Sequence, residues 1–92
     1  MSTNVEPPML EVGQCYLIES ITSNLYVGRL LALSPLGEVI LGEAAWVSET
    51  GRLHEFMARG RADGMEIEPI GTRCIRYASW SPWPHPLFTE SE

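Results

Sequence analysis

Apolar and polar positions alternate in short runs along this chain, and each run ends at glycine, proline or a small polar cluster. Residues 1–12, with Pro7, Pro8 and several polar side chains, read as a flexible lead-in. Gln14 to Thr22 is rich in β-branched and aromatic residues, which suit a pleated surface. Alternation places Cys15, Leu17 and Ile21 on one face and Tyr16, Ile18 and Ser20 on the other, with Glu19 at a rim. Ser23-Asn24 is a polar break of hairpin length, and Leu25–Ser34 follows as a second, longer strand. Gly28 inside it predicts a bulge, a bend or a close backbone approach. Pro35-Leu36-Gly37 is a turn, since proline presets φ and glycine accepts φ > 0. Glu38–Leu41 is the third strand, extended past a bend at Gly42 into Ala44–Val47.

The period then changes. Ser48–Gly51 carries N-cap residue types, and Leu53, Phe56 and Met57 form one apolar stripe at i, i+3, i+4. A helix of about two turns near 51–59 follows, closed by Gly60 and too short to stand undocked. Met65–Pro69 alternates like a half-exposed strand stopped by its proline, and Thr72–Ala78 reads as the last strand. From Ser79 the chain turns rich in tryptophan and proline, and its prolines argue against helix and central strand. The expected organisation is a mainly β domain over 13–78 with one short helix, and a C-terminal tail over 79–92. About five short antiparallel strands joined by tight turns point first to a small SH3-like or Sm-like barrel. The alternative is a twisted open sheet with the helix across one face.

Length adds a constraint. The 92 residues suffice for one domain, and a domain of that size buries only about 60–65% of its unfolded surface. Extra burial must come from disulfides, a metal or other subunits. The two cysteines, Cys15 and Cys74, have no metal-ligand spacing and are expected as small buried apolar residues. Self-association is therefore the expected remedy. No run of apolar residues is long enough for a membrane span, and the first residues lack the basic and apolar regions of a signal peptide. A cytoplasmic protein with reduced thiols is expected.

Charge narrows the chemistry further. The net charge is −6, and all six cationic side chains are arginines. A chain without lysine has no Schiff-base amine and no P-loop lysine. The acidic balance argues against nucleic acid as partner, because phosphate neutralisation supplies most of that affinity.

His54 and His85 have no third ligand at a metal spacing, and Glu66 and Glu68 share one strand face expected to be solvated. No catalytic, metal or cofactor-binding set is assigned, and none of these chemistries is expected. Arg52, Arg59 and Arg61 cluster around the helix as a candidate anion- or partner-binding set, against the plainer reading of a solvated face paired with local glutamates. The tail is the least usual feature. In polyproline II about three residues make a turn, which puts Trp80, Trp83 and Pro86 on one edge. Two tryptophans there must bury against something: the domain itself, or a neighbouring subunit. Trp80, Trp83, Phe88 and Trp46 are the candidate interface residues.

The stretch from Tyr16 to about Pro69 resembles a group of small uncharacterised proteins encoded by bacteriophages and mobile elements. The resemblance rests on a GRL step at Gly28-Arg29-Leu30, an AAW element at Ala44-Ala45-Trp46, a TGR turn at Thr50-Gly51-Arg52 and an EP step at Glu68-Pro69. The tail departs from that pattern. The group has no assigned activity, so the resemblance carries over no site residues and implies a phage origin only. The expected function is a non-enzymatic phage-type binding or assembly module. It self-associates, binds a small ligand or host protein, acts in the host cell cytoplasm, and has counter-defence as a possible role. The alternatives are a minor virion or packaging component, and an acidic inhibitor of a host nucleic-acid-binding protein. A small hydrolase ranks last.

Overall fold

The fold follows from one strand that changes partners halfway along its length. The structure is a computed structural model that describes residues 9–89. Residues 1–8 of the expected lead-in and 90–92 of the expected tail lie outside it. Four strands and one helix run in the order β1 (Cys15–Ser20), β2 (Leu25–Leu33), β3 (Glu38–Glu49), α1 (Leu53–Arg59) and β4 (Glu66–Pro82). Every pairing is antiparallel, and β4 pairs with both β3 and β1, so the sheet closes into a ring. The open-sheet alternative is not what forms.

The expected count of about five strands is corrected to four. The segments 65–69 and 72–78 belong to one strand of 17 residues. Pro69 was expected to stop the first of them. It instead sits opposite Ala45, where the β3–β4 register shifts, and Gly71 takes φ 76° beside it. A missing N–H costs little where the ladder is already irregular, so the chain bends without leaving the sheet. At its other end β4 runs past 78 to Pro82, pairing Ser79, Trp80, Ser81 and Pro82 with β1. The prolines of this stretch do not exclude strand there, because Pro82 is the strand's last residue.

The bends expected earlier in the chain are present. The β2–β3 register shifts between Val27 and Arg29, and a Cβ on Gly28 would stand 3.0 Å from the Gly42 carbonyl oxygen. The β3–β4 register shifts between Leu41 and Ala44, where Glu43 has φ 50°. Gly37 has φ 87° in the β2–β3 turn. The helix begins at Leu53, and Gly60 ends it in the left-handed conformation, its N–H donating to the Phe56 carbonyl. The expected cap is not made: Arg52 holds the N-cap position without a side-chain bond, while Thr50 Oγ1 donates to the Gly51 carbonyl. Of the apolar stripe, Phe56 is fully buried and Met57 half-buried, whereas Leu53 in the first turn is 56% exposed.

Alternate residues of β1 feed two apolar clusters. Tyr16 and Ile18 join Leu30, Val39, Leu41, Ala44 and Ile75 in the first. Leu17 joins Val27, Val47, Phe56 and Trp83 in the second. A strand buried on both faces needs a second layer, and α1 with the segment after β4 supplies it. Phe56 and Trp83 meet with ring centroids 5.1 Å apart. Burying a ring such as that of Phe56 contributes about 1.5–3 kcal/mol. Both cysteines are free; Cys15 is half-buried, and Cys74 is exposed on β4 rather than buried as expected. No helix among the described residues is long and apolar enough to cross a membrane.

Crowding at Gly28 gives a direct test of the bend. Gly28→Val pushes methyl groups into the β3 backbone and should cost about 1–3 kcal/mol in urea denaturation. A loss below about 0.5 kcal/mol, ordinary for an uncrowded surface position, contradicts the close approach.

Candidate functional site

The start of β1 is held from both sides. The residues just before β1 are stapled to β2: Gly13 N–H donates to the Leu30 carbonyl at 2.8 Å, and Leu30 N–H donates to the Gln14 carbonyl at 2.8 Å. Glu11 N–H donates to Tyr16 Oη at 2.8 Å. From the other direction β4 ends with Pro82 opposite Tyr16, and Trp83 N–H donates to the Cys15 carbonyl at 3.0 Å. The chain then folds into a short turn in which Trp83 Nε1 donates to the Pro86 carbonyl at 3.2 Å.

Between incoming and outgoing segments lies an open cleft of about 470 Å³, with Met9, Tyr16, Arg29, Trp80, Trp83 and His85 in its walls. Tyr16 and Trp80 meet edge to face at 5.3 Å, and Trp83 and His85 do so at 4.9 Å. Edge-to-face pairs fix ring orientation, so the aromatic surface is set before any ligand arrives. Arg29 brings the cation, held by Glu43 Oε1 at 3.2 Å and by the Gly13 carbonyl at 3.4 Å. Flat apolar walls with one oriented guanidinium suit a ligand having a planar or apolar body and a polar end.

The candidate interface residues go to three places. Trp80 and Trp83 both line the cleft, yet they serve different clusters: Trp80 packs against the first, and Trp83, 4% exposed, belongs to the second. Phe88 stacks on Phe56 at 6.2 Å and helps cover the second cluster. Trp46 lies across the ring on β3, opposite Tyr26 and Glu68 and 36% exposed. These four residues form no single surface.

The arginine set divides as well. Arg59 is bonded to Glu55 at 2.9 Å, four residues earlier on α1. Arg59 and Arg61 share a cavity with Glu55 and Asp63, while Arg52 stands apart at the N-cap. Two cations with two acids leave that cavity without net charge. His54 is exposed, and His85 Nε2 lies 2.9 Å from the Met57 carbonyl, tying the outgoing segment to α1. Glu66 and Glu68 are exposed, and among the described residues no three His, Cys, Asp or Glu side chains group as metal ligands.

Sequence reasoning singled out neither Tyr16 nor Arg29 for the cleft. Their convergence depends on the β1–β2 register, Tyr16 opposite Gly28 and Cys15 opposite Arg29, which no local pattern spells out. The bulge glycine beside Arg29 is the one local signal of a specially aimed side chain. In comparisons with known proteins, the chain matches no family model and no curated protein.

The two tryptophans should separate on mutation. Trp83→Ala removes a buried indole and should cost about 3–5 kcal/mol by chemical denaturation. Trp80→Ala, at a half-buried wall, should cost less. Equal losses contradict the different placements.

Proposed function

We propose that this protein is a non-enzymatic binding module of bacteriophage type, which self-associates and takes a small ligand in the cleft between Met9 and His85. The observation that carries the reading is the cleft itself: orthogonal aromatic pairs and one guanidinium, fixed by backbone bonds on both sides. Preorganised surfaces of this kind lower the ordering cost of binding. The ring of four strands also fits an SH3-like or Sm-like barrel, in which case α1 is an addition between β3 and β4. Counter-defence in the host cytoplasm, by holding a host small molecule or a host protein, is the role this reading favours.

Self-association rests on the limited core of a 92-residue chain and on the apolar side chains left outside. Leu31 and Ile40 remain partly exposed on β2 and β3.

Native mass spectrometry of the protein taken directly from a bacterial lysate tests both halves. The expected result is a multi-subunit mass carrying a non-protein adduct, with the adduct lost in Trp80→Ala. A strict monomer at micromolar concentration overturns the assembly half. A bare mass from lysate, with no change of tryptophan emission when lysate metabolites are added back, overturns the ligand half.

A further inference from the structure

The groove beside α1 has a chemistry of its own. Antiparallel pairing places Leu25, Glu19 and Ser79 in one row across β2, β1 and β4. Val27, Leu17 and Ser81 form the next row on the same face, since directly paired residues point one way and the face recurs every second residue. Val27 and Leu17 are covered, because both join Phe56 of α1 in the second cluster. Beside the Glu19 row lies a groove of about 370 Å³ between sheet and helix. Leu17 and Leu25 line it from the sheet, and Leu53 and Met57, one turn apart on α1, line it from the helix.

Glu19 is the one charged side chain in that lining. Its Oε1 accepts from Ser79 Oγ at 3.0 Å across the strand pair, which orients the carboxylate. All six arginines are among the described residues, and none forms an ion pair with Glu19: the pairs are Arg29 with Glu43, Arg59 with Glu55 and Arg76 with Glu38. The chain has no lysine to take their place. Glu19 is therefore an oriented carboxylate, set among aliphatic walls, to which the chain's own arginines and lysines supply no cation.

Leu53 is the second unmet group. It belongs to the apolar stripe of α1, yet it is 56% exposed where it lines the groove. An alkyl chain lying between Leu53 and Leu25 would remove both from water. A cationic head on that chain would meet the Glu19 carboxylate, whose Oε2 makes no hydrogen bond among the described residues. An ammonium suits the place better than a guanidinium: it is a compact charge with three donors, and a single carboxylate already sharing one oxygen with a hydroxyl leaves no fork to match.

We propose that the groove between α1 and the Glu19 row binds a small aliphatic amine, its alkyl chain against Leu17, Leu25, Leu53 and Met57 and its ammonium on Glu19. The site shares only Trp80 with the aromatic cleft, and its occupancy does not depend on the reading of that cleft.

Titration of the full chain with hexylamine hydrochloride at neutral pH and constant ionic strength, followed by backbone amide NMR, tests the proposal. Shifts should concentrate at Leu17 to Glu19, Leu53 to Met57 and Ser79 to Ser81, and should saturate. Propylamine, three methylenes shorter, should bind at least about tenfold more weakly. Glu19→Gln, at an exposed position that keeps the Ser79 contact, should weaken hexylamine binding about fivefold, as loss of a partly exposed ion pair does. Glu66→Gln, outside the groove, should bind as the unaltered chain does. No saturation below about 10 mM, equal binding of hexanoate, full binding by Glu19→Gln, or shifts centred on Arg29 and His85 overturns the assignment. Tighter binding of Nα-acetyl-lysine methylamide than of hexylamine also overturns it, by giving the groove to a lysine of a protein partner.

Discussion

Ring closure by β4 is the constraint on which the rest of the structure depends. Its Glu66–Arg76 portion pairs with β3 and its Tyr77–Pro82 portion with β1, so one strand joins the first and last parts of the fold. These are long-range pairings that no hairpin turn enforces, and their loop entropy must be met by packing. Trp80 supplies some of that packing against Tyr16 on the first cluster. Trp83, three residues on, supplies it against Phe56 on the second. The same few residues therefore close the sheet, join the two clusters and wall the cleft.

This arrangement enlarges the core of a small chain, while large apolar side chains such as Leu31 and Leu36 stay exposed. A strand buried on both faces gives two clusters where a simple sheet would give one, and α1 with residues 83–88 covers the outer one. His85 bonded to the Met57 carbonyl and Phe88 stacked on Phe56 hold that cover in place. Cavities open at the two ends of the β1–β4 seam. One lies where β4 ends beside the start of β1. The other lies where β4 and the β1–β2 turn part company. At the first, Arg29 follows the bulge at Gly28 in β2.

The elements legible in the sequence are those with local causes. The turn at Gly37 and the helix stop at Gly60 follow from left-handed backbone at one glycine, the shift at Gly28 from close approach to β3, and the bend after Gly42 is made with Glu43 in the left-handed region. The misread elements turn on pairing. Pro69 breaks an isolated strand, but not one whose partner is bulged at the same place. Ser79–Pro82 resembles a tail until β1 is beside it. The polyproline edge shared by Trp80 and Trp83 gave way to a strand end followed by a turn, which sends the two indoles to different clusters. The site was partly legible for the same reason. The tryptophans are conspicuous by type, whereas Tyr16 and Arg29 become wall residues only through the β1–β2 and β1–β4 registers.

Native-state amide hydrogen exchange measures the closure most directly. If β4 seals the ring, the β1–β4 ladder amides of Leu17 to Glu19 and Ser79 to Ser81 that are hydrogen-bonded should exchange only through global unfolding. Their protection should match that of the β2–β3 ladder. Fast exchange at Ser79 to Ser81 beside a protected β2–β3 ladder would make those residues a frayed tail and contradict the account.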